Sequence, residues 1–572
     1  EEVRKFSYQL AVSLMAWECT ALLLGEYGPE DFLSNPLFSV TDGMIALDHR
    51  EEAGEQQRFI HVLKMRGTAH SSDRHSFIVS KKGIESFAPR VTIKRKPKEE
   101  PEHVRPARLR TGISKLDDLL GEGIPHGSSL LVGGVAGTGK TVLLLEFIYR
   151  GARAGEKGIV FSFEETEERL RNAAQGLGWD LEREIDRGMV QIVFIPQPEI
   201  RVESDLLMMH ERIQAMGARR VAVDSLSVFL HKINDPQLAR EKTFQLASIV
   251  QNVRAVGFFA ADIPYGVNRI SRLGVEETVV DGVILLSSTE EGLERQRYIE
   301  VYKLRNTAHL RGRHPLQIER GGIHVFPRYA VDPLTDAPPP ALGRQGRLRS
   351  GIPGLDRLLG GGFLPRSVTL VSGSAGIGKS TLAAQFVLEG ATRRAPGLFV
   401  TLEEGPEQVL AAADALGLPL RKAVKEKRVD LLYLSPQHVR GAQFLSILSE
   451  RIEQRGFRRL ALDSAAHIAA LDPTSGGIRD LLYSLAARFQ RLGATSLLTL
   501  ESRHLHSTDH VTDHGFSLIA DNLLLLRYAE KHGRLTSRIT VVKTRGSAHD
   551  GSAHPFSIGA GGLTLSAPEE TP

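Results

Sequence analysis

A chain of 572 residues exceeds what one hydrophobic core supports, because single cores stop growing at roughly 250–300 residues, and it predicts two to four domains. With 41% hydrophobic and 24% charged residues it reads as ordinary globular protein, and 72 basic against 68 acidic side chains, a net charge of +4, argue against a nucleic-acid partner. The single cysteine, Cys19, excludes an internal disulfide, and apolar runs such as "GVILLSS" fall far short of the roughly 20 residues that span a bilayer, so a cytoplasmic location with no membrane segment is expected.

Taken in chain order, residues 1–95 hold strand-like runs and the basic stretch "KMRGTAH" from Lys64. Residues 96–109 belong to a charged, proline-bearing connector. In residues 110–328, short β-branched or Leu-rich runs ("SSLLVGG", "GIVFSF", "RRVAVDS", "VGFFAAD", "DGVILLS", "RYIEVYKLR") alternate with longer stretches of helical composition. That alternation predicts an α/β domain, a mostly parallel sheet covered by helices and ending in an antiparallel hairpin. A Pro-rich linker, 329–348, leads to residues 349–572, where the pattern repeats.

The repeat has a constant period. Lys140 and Lys379, Glu164 and Glu403, and Asp224 and Asp463 each lie 239 residues apart, whereas Lys303 and Lys543 lie 240 apart. A period this long means tandem domains. The same offset relates Asp42, Lys64 and His75 to Asp281, Lys303 and His314, so residues 1–95 match the second half of a repeat. The chain begins with Glu, and the front half of that first repeat is expected to precede it in a longer protein, the alternative being a repeat that has lost its front half.

Two stretches match G-x-x-x-x-G-K-[ST]. One runs through Gly134, Gly137, Thr138, Gly139, Lys140 and Thr141, the other through Gly373, Gly376, Ile377, Gly378, Lys379 and Ser380. Each follows a strand-like run and opens a helical one, the context in which backbone N–H groups and a helix N-terminus cradle phosphates. Lys140 and Lys379 are expected on the β- and γ-phosphates of ATP, and Thr141 and Ser380 on Mg²⁺. Asp224 and Asp463 end buried strands and are the expected second partners of that ion. Between these motifs "FSFEETEE" and "VTLEEGPE" place Glu164, Glu165, Glu403 and Glu404 at strand ends, where one carboxylate of each pair could activate a hydroxyl or water. Adjacent strand residues face opposite ways, so only one of each pair is expected to point at the nucleotide.

The order of these motifs, followed by "K-x-R-x-[ST]-x-H" and then "HPxxI" and "FPR", resembles the KaiC family of RecA-like P-loop ATPases over essentially the whole chain. The resemblance implies tandem domains in a homo-hexameric ring with ATP between subunits. By it, Lys303 and Arg305, and Lys543 and Arg545, reach the γ-phosphate bound by a neighbour. It also implies phosphorylation of a Ser–Thr pair in the last domain. The matching segment, "VTDHGFSLIADNLLLL", holds Ser517 at the first acceptor position and Leu518 at the second, so Ser517 is the phosphoacceptor candidate of a Ser/Thr autokinase, with Thr512 nearby. Few residues follow the last strand, so the tail by which a cyanobacterial clock protein engages its activator is not expected. The leading expectation is therefore an ATP-hydrolysing signalling protein with protein partners. Two alternatives are a RecA- or RadA-type DNA-dependent ATPase, for which "PYGVNRISRLG" and "ESRHLHSTDHV" are only modestly basic loops, and a non-catalytic nucleotide-gated scaffold.

Overall fold

The structure is a computed structural model. It describes residues 2–28, 31, 37–52, 55–81, 83–87, 107–121, 123–231, 233, 235–263, 270–271, 274–291, 294–328, 346–392, 395–437, 439, 441–471, 477–501, 519–531 and 534–565. The chain divides into two compact units, residues 1–312 with 316–324, and residues 313–315 with 325–572. Ser517 and Thr512 lie outside the described residues, as do most of the two candidate DNA-contacting loops.

The middle repeat is built on a nine-stranded sheet. From edge to edge it runs Val190–Phe194, Gly158–Ser162, Arg220–Asp224, Val256–Asp262, Ser129–Gly134, Gly282–Glu291, Glu294–Leu304, His314–Glu319 and Gly322–Val325. The first six strands pair in parallel. Their runs are apolar on both faces because helices cover both, and every residue of Ser129–Gly134, Gly158–Ser162 and Arg220–Asp224 is buried. The long hairpin from Gly282 to Leu304 is antiparallel, as expected. A second hairpin of two short strands extends it to the sheet edge.

The last repeat follows the same order: Val429–Tyr433, Gly397–Thr401, Arg459–Asp463, Thr495–Glu501, Val368–Gly373, Asn522–Lys531, Arg534–Thr544, His554–Gly559 and Gly562–Leu565. Its core packs on both faces of the sheet, around Phe386 and Phe399 on one side and Phe444 and Phe489 on the other. The first repeat shows four antiparallel strands, Gly43–Glu52, Glu55–Met65, His75–Ser80 and Gly83–Phe87. Tandem RecA-like α/β domains are thus the architecture of this chain.

All three long hairpins carry a β-bulge at the same place, between Met44 and Ile45, Val283 and Ile284, and Leu523 and Leu524. The extra residue on the partner strand is Leu63, Tyr302 or Val542, immediately before the lysine of the basic motif. A bulge changes the twist and re-aims the side chains beside it.

Candidate functional site

Parallel strands bring their carboxyl ends to one edge, where open α/β sheets bind ligands. In the middle repeat Ser129–Gly134 leads through loop 135–139 into the helix Lys140–Arg153. Gly137 and Gly139 adopt φ values of 79° and 105°, the left-handed region that favours glycine. A Cβ on Gly139 would also lie 2.5 Å from Ile318 Cδ1. Lys140 is buried. Its Nζ donates to the carbonyls of Gly134 at 2.8 Å and Val135 at 3.2 Å, and pairs with Asp262 Oδ1 at 2.9 Å.

Asp224 ends the strand beside Ser162 and is 3% exposed. Burial pushes its carboxyl up to about 6, with Glu164 and Glu165 acting in the same direction, while the Thr141 hydroxyl, hydrogen-bonded to it, and Lys140 oppose the shift. Ser225 Oγ donates to Glu164 Oε1 at 2.9 Å. Asp224, Thr141, Lys140 and Glu164 therefore form one cluster.

The glutamate pairs need a correction. They do not continue the strand with alternating faces, because Gly158–Ser162 and Gly397–Thr401 stop before them. Ser162 Oγ accepts from the Glu165 N–H at 3.2 Å and donates to the Glu165 carbonyl at 2.6 Å, and Thr401 Oγ1 makes the same two contacts with Glu404 at 3.1 and 2.8 Å. A hydroxyl at the strand end captures the backbone and turns it, so both glutamates sit in a bend at the carboxyl edge.

The last repeat shows the same arrangement with different partners. Gly376 and Gly378 have φ of 71° and 102°, and Ile377 is buried between them. Lys379 Nζ donates to the carbonyls of Gly373 at 3.0 Å and Ser374 at 2.7 Å, and burial pushes its pKa down. Ser380 is exposed. Thr499 Oγ1 donates to Asp463 Oδ1, and His467 Nε2 lies 3.3 Å from Glu403 Oε2. Burial, reinforced by Asp463 and Glu403, raises the pKa of Glu404. The peptide bonds Asp224–Ser225 and Asp463–Ser464 are both cis.

The basic motif sits elsewhere. Lys303 Nζ donates to the carbonyls of Glu277 and Val280, both at 3.0 Å, and Arg305 Nη2 donates to Thr278 at 3.0 Å. These acceptors precede the strand Gly282–Glu291, whose first residue pairs with Leu130. The ammonium and guanidinium are therefore held at the amino-terminal end of the sheet, away from the glycine loop at the carboxyl end. The other copies are built alike. Lys64 donates to Phe38 and Thr41, Arg66 to Ser39, and Lys543 to Ala520. Burial, then the adjacent arginine, lowers the pKa of Lys303 and of Lys543.

Asp262 was not singled out by its motif, although "VGFFAAD" ends in an acid as "RRVAVDS" nearly does. Ser225, Thr499 and His467 carried no signal of their own.

A glycine loop at the end of a central parallel strand, a lysine folded back over it and an aspartate ending a nearby strand define a P-loop ATPase of the RecA-like class. The chain belongs to the KaiC family of ATPases, whose family model, "ATPase: KaiC", matches residues 1–90, 109–330 and 348–570. It is 31% identical over 471 residues to the circadian clock oscillator protein KaiC of Synechococcus elongatus, covering 81% of this chain and 89% of that protein. It is 30% identical to the KaiC of Picosynechococcus over 80% of this chain and 89% of that one, and 30% identical to the circadian clock protein KaiC3 of Synechocystis over 81% and 92%. Among the described residues, no helix is long and apolar enough to cross a membrane.

Proposed function

We propose that each complete repeat of this KaiC-family ATPase hydrolyses Mg²⁺-ATP at a site completed by the Lys–Arg pair of a neighbouring copy in a hexameric ring, and that the last repeat is also a Ser/Thr autokinase signalling to protein partners in the cytoplasm. The observation that carries this reading is the position of Lys303 and Arg305 at the end of the sheet opposite their own glycine loop. A basic pair so placed cannot neutralise phosphate on its own loop.

In this reading Lys140 and Lys379 bind the β- and γ-phosphates. Mg²⁺ fits beside Thr141 and Asp224, since a buried carboxylate hydrogen-bonded to a hydroxyl suits an ion that takes few protein ligands and leaves the rest to phosphates, and Ser380 and Asp463 are the corresponding residues of the last repeat. The ion supplies charge neutralisation of the phosphates when bound. Glu164 or Glu165, and Glu403 or Glu404, orient the attacking hydroxyl and accept its proton. The neighbour's arginine offsets charge that develops in transfer, an effect worth about 10³–10⁵ in kcat for arginine fingers.

A mixing experiment tests the shared site. Arg305→Ala and Lys140→Ala chains, each also carrying Lys379→Ala, are expected to be inactive alone and active together, because the loop of one meets the finger of the other. Mixtures that regain nothing would sink the proposal. For the kinase, γ-labelled ATP followed by phosphopeptide mapping should place label on Ser517, and Glu403→Gln should abolish it; no label in the last repeat would leave only the ATPase.

A further inference from the structure

The strand Arg459–Asp463 runs parallel to Gly397–Thr401, with Asp463 opposite Thr401, so the segments that follow the two strands leave the sheet side by side at its carboxyl end. After Asp463 the chain enters a short 3₁₀ turn, Ala465–His467. Ser464 caps it, its Oγ accepting from the Ala466 N–H at 3.2 Å and its carbonyl from the His467 N–H at 3.2 Å. Ala465 and Ile468, both fully buried, fasten the turn to the core beneath. Between them in sequence, the His467 side chain is 39% exposed, and its Nε2 lies 3.3 Å from Glu403 Oε2. Glu403 is itself 62% exposed, and its charge, with those of Glu501 and Asp463, reaches Lys379 of the glycine loop.

The middle repeat holds its glutamate differently. Glu164 receives a hydrogen bond from Ser225 Oγ at 2.9 Å, and Val228 occupies the place of His467, 239 residues earlier. Valine has no donor to offer a carboxylate. The last repeat thus sets an imidazole against Glu403 at a position where the middle repeat carries only a hydrocarbon. An exposed pair of this kind contributes little to stability. Its effect falls on orientation, because an exposed glutamate samples several rotamers and a base works only where its oxygen is aimed at the proton it takes.

We infer that His467 is a positioning residue of the last repeat's ATPase site, donating from Nε2 to Glu403 and aiming that carboxylate at the attacking water or hydroxyl. The inference rests on the proposed reading in which one glutamate of the pair is the base, and it selects Glu403 over Glu404. In the step it supports, the attacking oxygen bonds to the γ-phosphorus, the bridging oxygen leaves with ADP, and the proton lost by the attacking oxygen passes to Glu403. A neutral imidazole protonated on Nε2 suffices as donor. His467 acts through Glu403 and takes no part in the transfer itself.

The test uses the full chain carrying Lys140→Ala, so that hydrolysis reports the last repeat, and compares kcat and KM for Mg²⁺-ATP. His467→Val, which copies the middle repeat, is expected to lower kcat by about tenfold with KM within about twofold of its starting value, since aiming the base matters to the transition state and not to binding. His467→Gln, whose amide nitrogen donates from a similar reach, should recover most of that loss. Adding His467→Val to Glu403→Gln should change nothing further, because the residue acts only through that carboxylate. Circular dichroism checks that each variant is folded. An unchanged kcat in His467→Val, a loss that appears in KM instead, a glutamine variant as slow as the valine one, or a further drop in the double variant would overturn the assignment. A Glu403→Gln chain that hydrolyses ATP at the starting rate would instead overturn the reading of Glu403 as base, and this inference with it.

Discussion

Lys140 and Asp262 are ion-paired at 2.9 Å across the mouth of the middle repeat's glycine loop. The lysine expected on the phosphates is thus engaged by a carboxylate, which an incoming nucleotide must displace. Asp262→Asn removes that competitor. In a Lys379→Ala background, a fluorescent ATP analogue is expected to bind the middle loop roughly fivefold more tightly, the equivalent of about 1 kcal/mol for a partly exposed pair. Unchanged binding would show that Asp262 does not compete with the phosphates, and weaker binding that it assists them.

Asp224 links the site to stability. Its carboxyl is raised from 3.8 to about 6 in the folded protein, chiefly by burial. A raised acid favours the folded state fully below the unfolded pKa, and that contribution is lost as pH rises through the folded one, here between about pH 4 and pH 6. Asp224→Asn is therefore expected to stabilise the nucleotide-free middle repeat above pH 7, by on the order of 2–3 kcal/mol, and to leave it unchanged near pH 4. Buried Trp179 reports this repeat once exposed Trp17 is changed to Phe, so urea unfolding followed by fluorescence across pH gives the measurement. A stability difference independent of pH would contradict the account.

The glycines of the loop are ranked by their surroundings. Around Gly137 a Cβ meets nothing within 4 Å, so Gly137→Ala carries only the left-handed backbone cost of about 1–2 kcal/mol. Gly139→Ala carries that cost and a collision with Ile318. Nucleotide affinity is expected to fall further in Gly139→Ala, and Ile318→Ala should restore part of it. Equal losses in both variants would exclude the steric component.

Much of this was legible in residue order alone. Glycine loops are contiguous, so Lys140 and Lys379 announce themselves, and the constant offset exposes the tandem plan before any strand is assigned. Contacts made by distant segments were not legible. Asp262 reaches Lys140 only because two strands far apart in sequence lie side by side. The glutamate pairs were misplaced by one structural step, since composition does not reveal that Ser162 and Thr401 turn the chain just after their strands. The proposed role of Ser517 rests on the resemblance to the KaiC family alone, because it lies outside the described residues.

Glu156 is ion-paired to Arg220, the first residue of its strand in the middle repeat. Glu156→Ala leaves Arg220, 2% exposed, without that carboxylate. Three backbone carbonyls and Phe147 remain. With Glu156 partly exposed, the expected loss of middle-repeat stability is about 1–3 kcal/mol, below the usual cost of breaking a fully buried pair. Trp179 fluorescence in urea measures it, and no loss would mean that the carbonyls alone satisfy the guanidinium.

The separation of Lys303 and Arg305 from the loop of their own repeat has a kinetic corollary. Under the proposed shared site, an isolated repeat would carry both halves of the chemistry without bringing them together, and turnover per molecule would depend on encounters. Dilution would then silence hydrolysis well before nucleotide leaves the loop, and the rate at which such a protein consumes ATP would record how much of it is present.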